Sequence, residues 1–222
     1  MKKSDLDIIA SQLENPKGAK GLEMGDMMHA TNIEMTKSAI AALSIENKDE
    51  VLEIGHGNAK HLKEIYSQAN NLQYSGIDIS DVMHKEAIKN AEAINAEAKF
   101  YLYNGGEFPF QEEVFNKIFT VNTIYFWKEP SNFLDEIYRV MRPKGIFTIC
   151  YAQKDFMKRL PFVNEKFKLY NNEDIKDLLL KSKFLLEDII NKSEEVKSKT
   201  GEVVTRNYSV AILKKEMFLI IQ

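Results

Sequence analysis

The stretch Val51-Leu52-Glu53-Ile54-Gly55-His56-Gly57-Asn58-Ala59-Lys60 limits what this chain can fold into more than any other. Its first four residues read as a buried parallel strand, two glycines follow, and the residues after them can open a helix. A strand–turn–helix unit of this kind gathers backbone N–H groups and a helix N-terminus at one point, where a ligand can be held. The glycines let the chain turn sharply and let a ligand approach the backbone. Glu53 adds an acceptor for ammonium or hydroxyl groups just before the turn. The spacing is not the dinucleotide fingerprint G-x-G-x-x-G, which needs glycine where Lys60 stands, so an NAD-dependent reductase is disfavoured.

A chain of 222 residues with 44% hydrophobic content suits one domain with ample core. Its formal net charge of −3 supplies no global positive field for nucleic acid or anionic lipid. The single cysteine, Cys150, lies in an apolar run and has no internal partner, which suits a reducing, cytoplasmic setting. Met1-Lys2-Lys3-Ser4-Asp5 is followed by no long apolar core, so no signal peptide is expected. No run of about 18 apolar residues occurs, so no membrane span is expected.

Periodicity predicts a helix over 4–14, a break at Asn15-Pro16-Lys17-Gly18, and a helix over 25–43. The glycine strand then leads to a helix over 58–69, a strand over 72–79 and a helix over 81–96 with Ser80 or Asp81 as N-cap. Strands are expected at 98–103, 115–121 and 146–152, with an amphipathic helix at 131–142 before the last of them. Strands alternating with helices imply a parallel sheet covered on both faces. After a helix at 173–183, the runs 184–190 and 208–213 have no helix between them and read as a closing antiparallel hairpin. The Lys/Glu/Ser stretch at 192–202 reads as a solvated loop.

Asp78 ends the second strand beside the glycine turn, 25 positions after Glu53, and suits hydrogen bonding to two ribose hydroxyls. Three more segments follow in order: Tyr103-Asn104-Gly105-Gly106-Glu107-Phe108-Pro109-Phe110, then Phe115-Asn116-Lys117-Ile118 running to Trp127, then Arg139-Val140-Met141-Arg142-Pro143-Lys144-Gly145. With Glu53, Gly55 and Gly57 they resemble the E/D-x-G-x-G-x-G, D-A-x-x-L-P-F, F-D-x-V…N-x-x-x-x-W and R-V-L-K-P-G-G segments of class I S-adenosylmethionine-dependent methyltransferases. The chain most resembles their ubiquinone/menaquinone-biosynthesis-type branch (methyltransferase type 11). The likeness covers roughly residues 50–150, the cofactor half, and hardly touches the substrate half. It departs at Ala59, which replaces the third glycine and can narrow the space over the cofactor, and at Asn104, which replaces an acid.

The resemblance implies an α/β fold: a Rossmann-like three-layer sandwich around a seven-stranded, mostly parallel sheet with the last strand antiparallel. It implies one domain over 1–222, with an N-terminal helical lid at 1–45, a cofactor-binding half at 46–152 and a substrate-side half at 153–222. S-adenosylmethionine is the implied cofactor. It would be held by Glu53, Gly55, His56, Gly57, Asp78, Ile79, Asn104, Gly105 and Asn122, with the Asn104 amide oxygen accepting from the adenine amino group.

Asn122-Thr123-Ile124-Tyr125 has the N-x-x-Y spacing of loops that methylate amide or base amino groups. It lacks the two prolines that shape the accepting carbonyls, so nucleic acid is not the expected acceptor. Of the four histidines, His56 is expected near the cofactor's amino-acid end, and His61 and His84 on helix surfaces. His29, in the lid, is the candidate general base; Tyr125 is the other catalytic candidate, as a ring near the sulfonium. No Cys/His cluster has metal-ligand spacing. The aromatic and basic residues between 153 and 172 suit an acceptor pocket or an amphipathic connector equally. The expected function is methyl transfer to a small molecule by in-line displacement, by a monomer or homodimer. The alternative is an S-adenosylmethionine-binding protein without turnover.

Overall fold

The computed structural model describes residues 2–197 and 203–216. Its strands are β1 (Glu50–Ile54), β2 (Gln73–Asp78), β3 (Ala98–Leu102), β4 (Phe115–Val121), β5 (Met141–Ala152), β6 (Leu185–Lys197) and β7 (Val203–Lys214). They form one sheet in the order β3-β2-β1-β4-β5-β7-β6. β1 to β5 pair in parallel, and β7 runs antiparallel between β5 and β6. This is the Rossmann-like sheet expected from the sequence.

The helices are α1 (Lys3–Glu14), α2 (Gly18–Ala42), α3 (Leu62–Tyr66), α4 (Asp81–Glu92), α5 (Pro130–Val140), α6 (Lys154–Met157) and α7 (Asn172–Leu179). α5 opens with Pro130, whose missing N–H would have no helical partner there, and buries Phe133, Leu134, Ile137 and Tyr138 on one face. The Lys215 ammonium ends this helix, donating to the carbonyls of Tyr138 and Met141 at 3.1 and 2.7 Å. Lys117 does the same for α2, donating to Leu43 O at 2.8 Å and Ser44 O at 3.0 Å. Cations at helix C-termini answer the exposed carbonyls there.

Several element bounds differ from the sequence reading. The helix expected over 58–69 is only α3, because residues up to His61 are spent on turns: Ala59 has φ +52°, and Leu62 N donates to Ala59 O. α2 starts seven residues earlier than expected, at Gly18. Its second half, with Met35, Ala39 and Ile40 fully buried along with the capping Leu43, packs into the core. The hairpin is longer than expected: Ser193↔Asn207 to Lys197↔Val203 pair beyond the level of β5, so residues 192–197 of the supposed 192–202 loop are strand. Residues 198–202 lie outside the described residues. No described helix is long and apolar enough to cross a membrane.

Candidate functional site

Strand order reverses between β1 and β4, and in open α/β sheets the crevice at such a point is where ligands bind. A cleft of about 240 Å³ lies there. All nine residues expected to hold the cofactor line it, and so does His29.

The floor is the glycine turn. Gly55 has φ +79° and Gly57 φ +54°, in the region where side chains are strained. A Cβ on Gly55 would sit 2.4 Å from Thr123 Cγ2, whereas one on Gly57 would meet nothing within 4 Å, so the Gly57 backbone is open to a ligand. Ala59 occupies the left-handed region that the absent third glycine would favour. Its methyl is buried in the core and does not border the cleft, so the expected narrowing does not occur.

Two carboxylates flank the turn. Glu53, 3% exposed, accepts at Oε2 from Tyr74 Oη at 2.5 Å and from His61 Nε2 at 2.7 Å. Asp78 accepts at Oδ2 from Gly57 N at 2.9 Å and at Oδ1 from Ser80 N at 2.8 Å. Burial pushes its pKa up to about 6, although the amides of Ser80, Gly57 and Ile79 pull the other way.

His56 is placed differently from expectation. Its residue borders the cleft, but its ring packs on Gly76, where a Cβ would come within 2.9 Å, and edge-on against Phe100 at 4.9 Å. Nδ1 lies 2.7 Å from Gly57 O, so the neutral ring donates there, and burial pushes the pKa down to about 4. Nε2 is buried without a partner among the described residues. His61, expected on a helix surface, is buried on Glu53 instead. It stands at the start of α3, which returns over the end of β1 and sets the ring against Glu53.

The Asn104 loop borders the cleft beside Ile79. Asn104 Oδ1 accepts from Gly106 N at 3.0 Å, which fixes the Asn-Gly-Gly turn and leaves the oxygen a second lone pair. Arg139 and Glu136 of α5 hold this loop: Arg139 donates to the carbonyls of Phe108 and Phe110, and Phe108 N donates to Glu136. That is what the Arg139 segment does. Asn122, at φ +58°, accepts at Oδ1 from Tyr125 Oη at 2.9 Å. Tyr125 does not border the cleft. Its hydroxyl is engaged with Asn122 and the Ala152 backbone and its ring is buried, so it takes no position over a ligand. Trp127 does border the cleft, its indole N–H donating to Thr123 Oγ1 at 3.1 Å.

The first half of α2 roofs the cleft with Gly25, Met28, His29 and Asn32. Asp26 ties it to the turn, accepting from Asn58 Nδ2 at 2.9 Å and Lys60 Nζ at 2.6 Å. Arg206 of β7 ties it to the hairpin, donating to Thr31 O at 2.5 Å, to Asn32 Oδ1 at 3.1 Å and to Glu194. Burial lowers the His29 pKa, with the charges of His61 and Lys60 acting in the same direction. Among the described residues no group of three or more His, Cys, Asp or Glu could hold a metal ion.

A family model described as a methyltransferase domain matches residues 45–218. The uncharacterized methyltransferase YdaC of Bacillus subtilis (strain 168) is 26% identical over 123 residues, 54% of this chain and 66% of YdaC. Carboxy-S-adenosyl-L-methionine synthase of Campylobacter lari is 26% identical over 147 residues, 63% of this chain and 61% of that protein. The chain therefore spans slightly under two thirds of the length of these relatives. The crystal structure of an S-adenosylmethionine-dependent methyltransferase from Aquifex aeolicus shares the fold, with TM-score 0.64 at 15% identity over 96% of this chain and 98% of that one.

Proposed function

We propose, because the chain belongs to the S-adenosylmethionine-dependent methyltransferase-domain family, that it binds S-adenosylmethionine in the cleft beside β1 and moves its methyl group to a small-molecule acceptor. The family match over residues 45–218 supports the first half of this reading. The observation that carries it is the convergence at one point of an open Gly57 backbone, the Glu53 carboxylate and the end of β2. These residues fit the cofactor. Glu53 would receive its ammonium group, the turn its amino-acid part, Asp78 and Ile79 its ribose, and the Asn104–Gly105 loop its adenine.

Bound S-adenosylmethionine supplies a methyl group already activated by the sulfonium, so no residue has to attack covalently. The chain's own work is then to bind, orient and exclude water. Trp127 and Phe126 give the cleft an apolar wall, and Met28 closes it from α2. His29, kept neutral by burial, can take a proton from an acceptor that must lose one. The net charge of −3 favours a small acceptor over nucleic acid, and the buried thiol of Cys150 suits a cytoplasmic setting.

Calorimetric titration with S-adenosylhomocysteine and with NAD tests the cofactor. Binding of the first and not the second is expected, and the reverse would sink the reading. Methyl transfer from labelled S-adenosylmethionine into a metabolite pool then separates an enzyme from a protein that only binds.

A further inference from the structure

Glu53 carries an asymmetry that its role as a simple acceptor does not explain. Both donors near it, His61 Nε2 and Tyr74 Oη, converge on Oε2. Oε1 has no hydrogen-bond partner among the described residues, and the residue lines the cleft. Tyr74 reaches it across the sheet: Val51 pairs with Tyr74 and Glu53 with Gly76, which puts both side chains on one face. His61 reaches it from the start of α3, with its ring edge-on to Phe119 on the neighbouring strand. Both side chains are themselves buried.

We propose that His61 and Tyr74 are positioning residues, which lock the Glu53 carboxylate so that Oε1 alone is presented to the ammonium group of the bound cofactor. The inference rests on the S-adenosylmethionine reading above. A carboxylate offers about four acceptor sites, and burying one is costly unless they are met. Two sites are met on Oε2 by the protein, and those on Oε1 are left to a ligand. The other acids of the cleft are already engaged, Asp78 by two backbone amides and Glu14 by Lys166 at 3.2 Å. A cationic group is therefore drawn to Glu53. Without Tyr74 or His61 the carboxylate is free to turn, and the ammonium loses a fixed partner while the nucleoside part of the ligand keeps its own.

The test compares two ligands on the full chain by calorimetry. S-adenosylhomocysteine carries the ammonium; 5′-methylthioadenosine shares the nucleoside and lacks it. Tyr74→Phe and His61→Leu should each weaken S-adenosylhomocysteine about ten-fold, as expected for a lost bond to a charged group. Each should leave 5′-methylthioadenosine within about two-fold of the parent chain, by the same reasoning. His61→Gln, which can restore an N–H toward Glu53, should recover most of the loss. Equal weakening of both ligands, or an unchanged S-adenosylhomocysteine affinity in Tyr74→Phe, would overturn the positioning role and leave the cofactor reading standing. A parent chain that binds neither ligand would overturn the cofactor reading itself. If His61→Leu does not fold, Tyr74→Phe carries the test alone, because it removes one oxygen and keeps the ring in the core.

Discussion

Gly57 donates its backbone N–H to Asp78 Oδ2 at 2.9 Å, and this bond ties the turn after β1 to the end of β2. The other oxygen of Asp78 accepts from Ser80 N. The carboxylate thus shapes the turn as well as lining the cleft. Asp78→Ala leaves two amides without their acceptor and should cost about 1–3 kcal/mol of stability, together with weaker S-adenosylhomocysteine binding as the turn relaxes. Asp78→Asn keeps an acceptor for one amide and should fall between. Thermal melts and titrations of both variants check this, and an unchanged melting temperature in Asp78→Ala would deny the tie.

Acid should act on the fold through His56. Burial holds its pKa at about 4 against 6.5 for a free histidine. The folded state therefore refuses a proton that the unfolded chain accepts. The stability this contributes is complete above pH 6.5 and fades as pH falls toward about 4. By pH 5 the loss is about 2 kcal/mol, or about 4–8 °C in melting temperature for a chain of this size. Asp78, with its pKa raised from 3.8 to about 6, works in the opposite sense over that lower range, because there the folded form takes the proton first. His56→Gln should therefore reduce the drop in melting temperature between pH 7 and pH 5. An identical drop in the variant would show that acid acts elsewhere.

The His56 ring also explains Gly76. A Cβ there would lie 2.9 Å from His56 Cδ2 and 3.1 Å from its Cγ and Cβ, and the ring packs edge-on against Phe100. Gly76→Ala should destabilise by about 1–3 kcal/mol. Adding His56→Ala removes both ring contacts and leaves only its Cβ at 3.1 Å, so the two changes together should cost less than their sum. Urea unfolding of the two single variants and the pair measures this, and strict additivity would sink it.

His29 is the cleft's candidate base. Because burial and the neighbouring His61 and Lys60 charges lower its pKa, it should be neutral and able to accept a proton at pH 7. His29→Ala should lower the methyl-transfer rate about 10²–10⁴-fold while S-adenosylhomocysteine binding stays nearly constant. A parallel loss of binding would make it a wall residue instead.

The cofactor half of the fold was legible because its signals are local. Gly55 and Gly57 announce a turn, Asp78 falls at a strand end, and α5 carries its apolar face at regular spacing. What stayed hidden depends on distant partners. His61 reads as a surface helix residue until β1 and α3 are superposed on Glu53. Tyr125 reads as a cleft ring until β5 brings the Ala152 backbone to its hydroxyl. Glu194 falls in the stretch that reads as a solvated loop, and only the pairing of β6 with β7 sets it against Arg206, which in turn reaches α2. What the cleft admits is unread for the same reason, since its lining comes from α1, α2 and strand ends that are far apart in the chain.

The last prediction concerns that roof. Up to Asn32, α2 lines the cleft with Gly25, Met28, His29 and Asn32; beyond it only Thr36 reaches the cleft, and Met35, Ala39 and Ile40 are core. Two clasps hold the cleft-lining part of α2. Asp26 on Asn58 and Lys60 is mostly exposed and worth little in stability. Arg206 on Thr31, Asn32 and Glu194 is buried, and cutting it leaves Glu194 without its cation, at a cost of up to about 3–5 kcal/mol. If α2 opens to admit the cofactor and closes to exclude water, Arg206→Met should raise hydrogen exchange over residues 18–34 and leave 35–42 protected. S-adenosylhomocysteine should bind about ten-fold more weakly, because part of its binding energy must now order the helix. Asp26→Asn should move exchange and binding in the same direction by less. Removing only residues 2–14, which form no part of the sheet, should leave a folded chain with weakened closure. Exchange that rises evenly along the whole of α2 would mean the helix moves as core and not as a roof. Unchanged binding in Arg206→Met would mean that closure does not depend on this clasp.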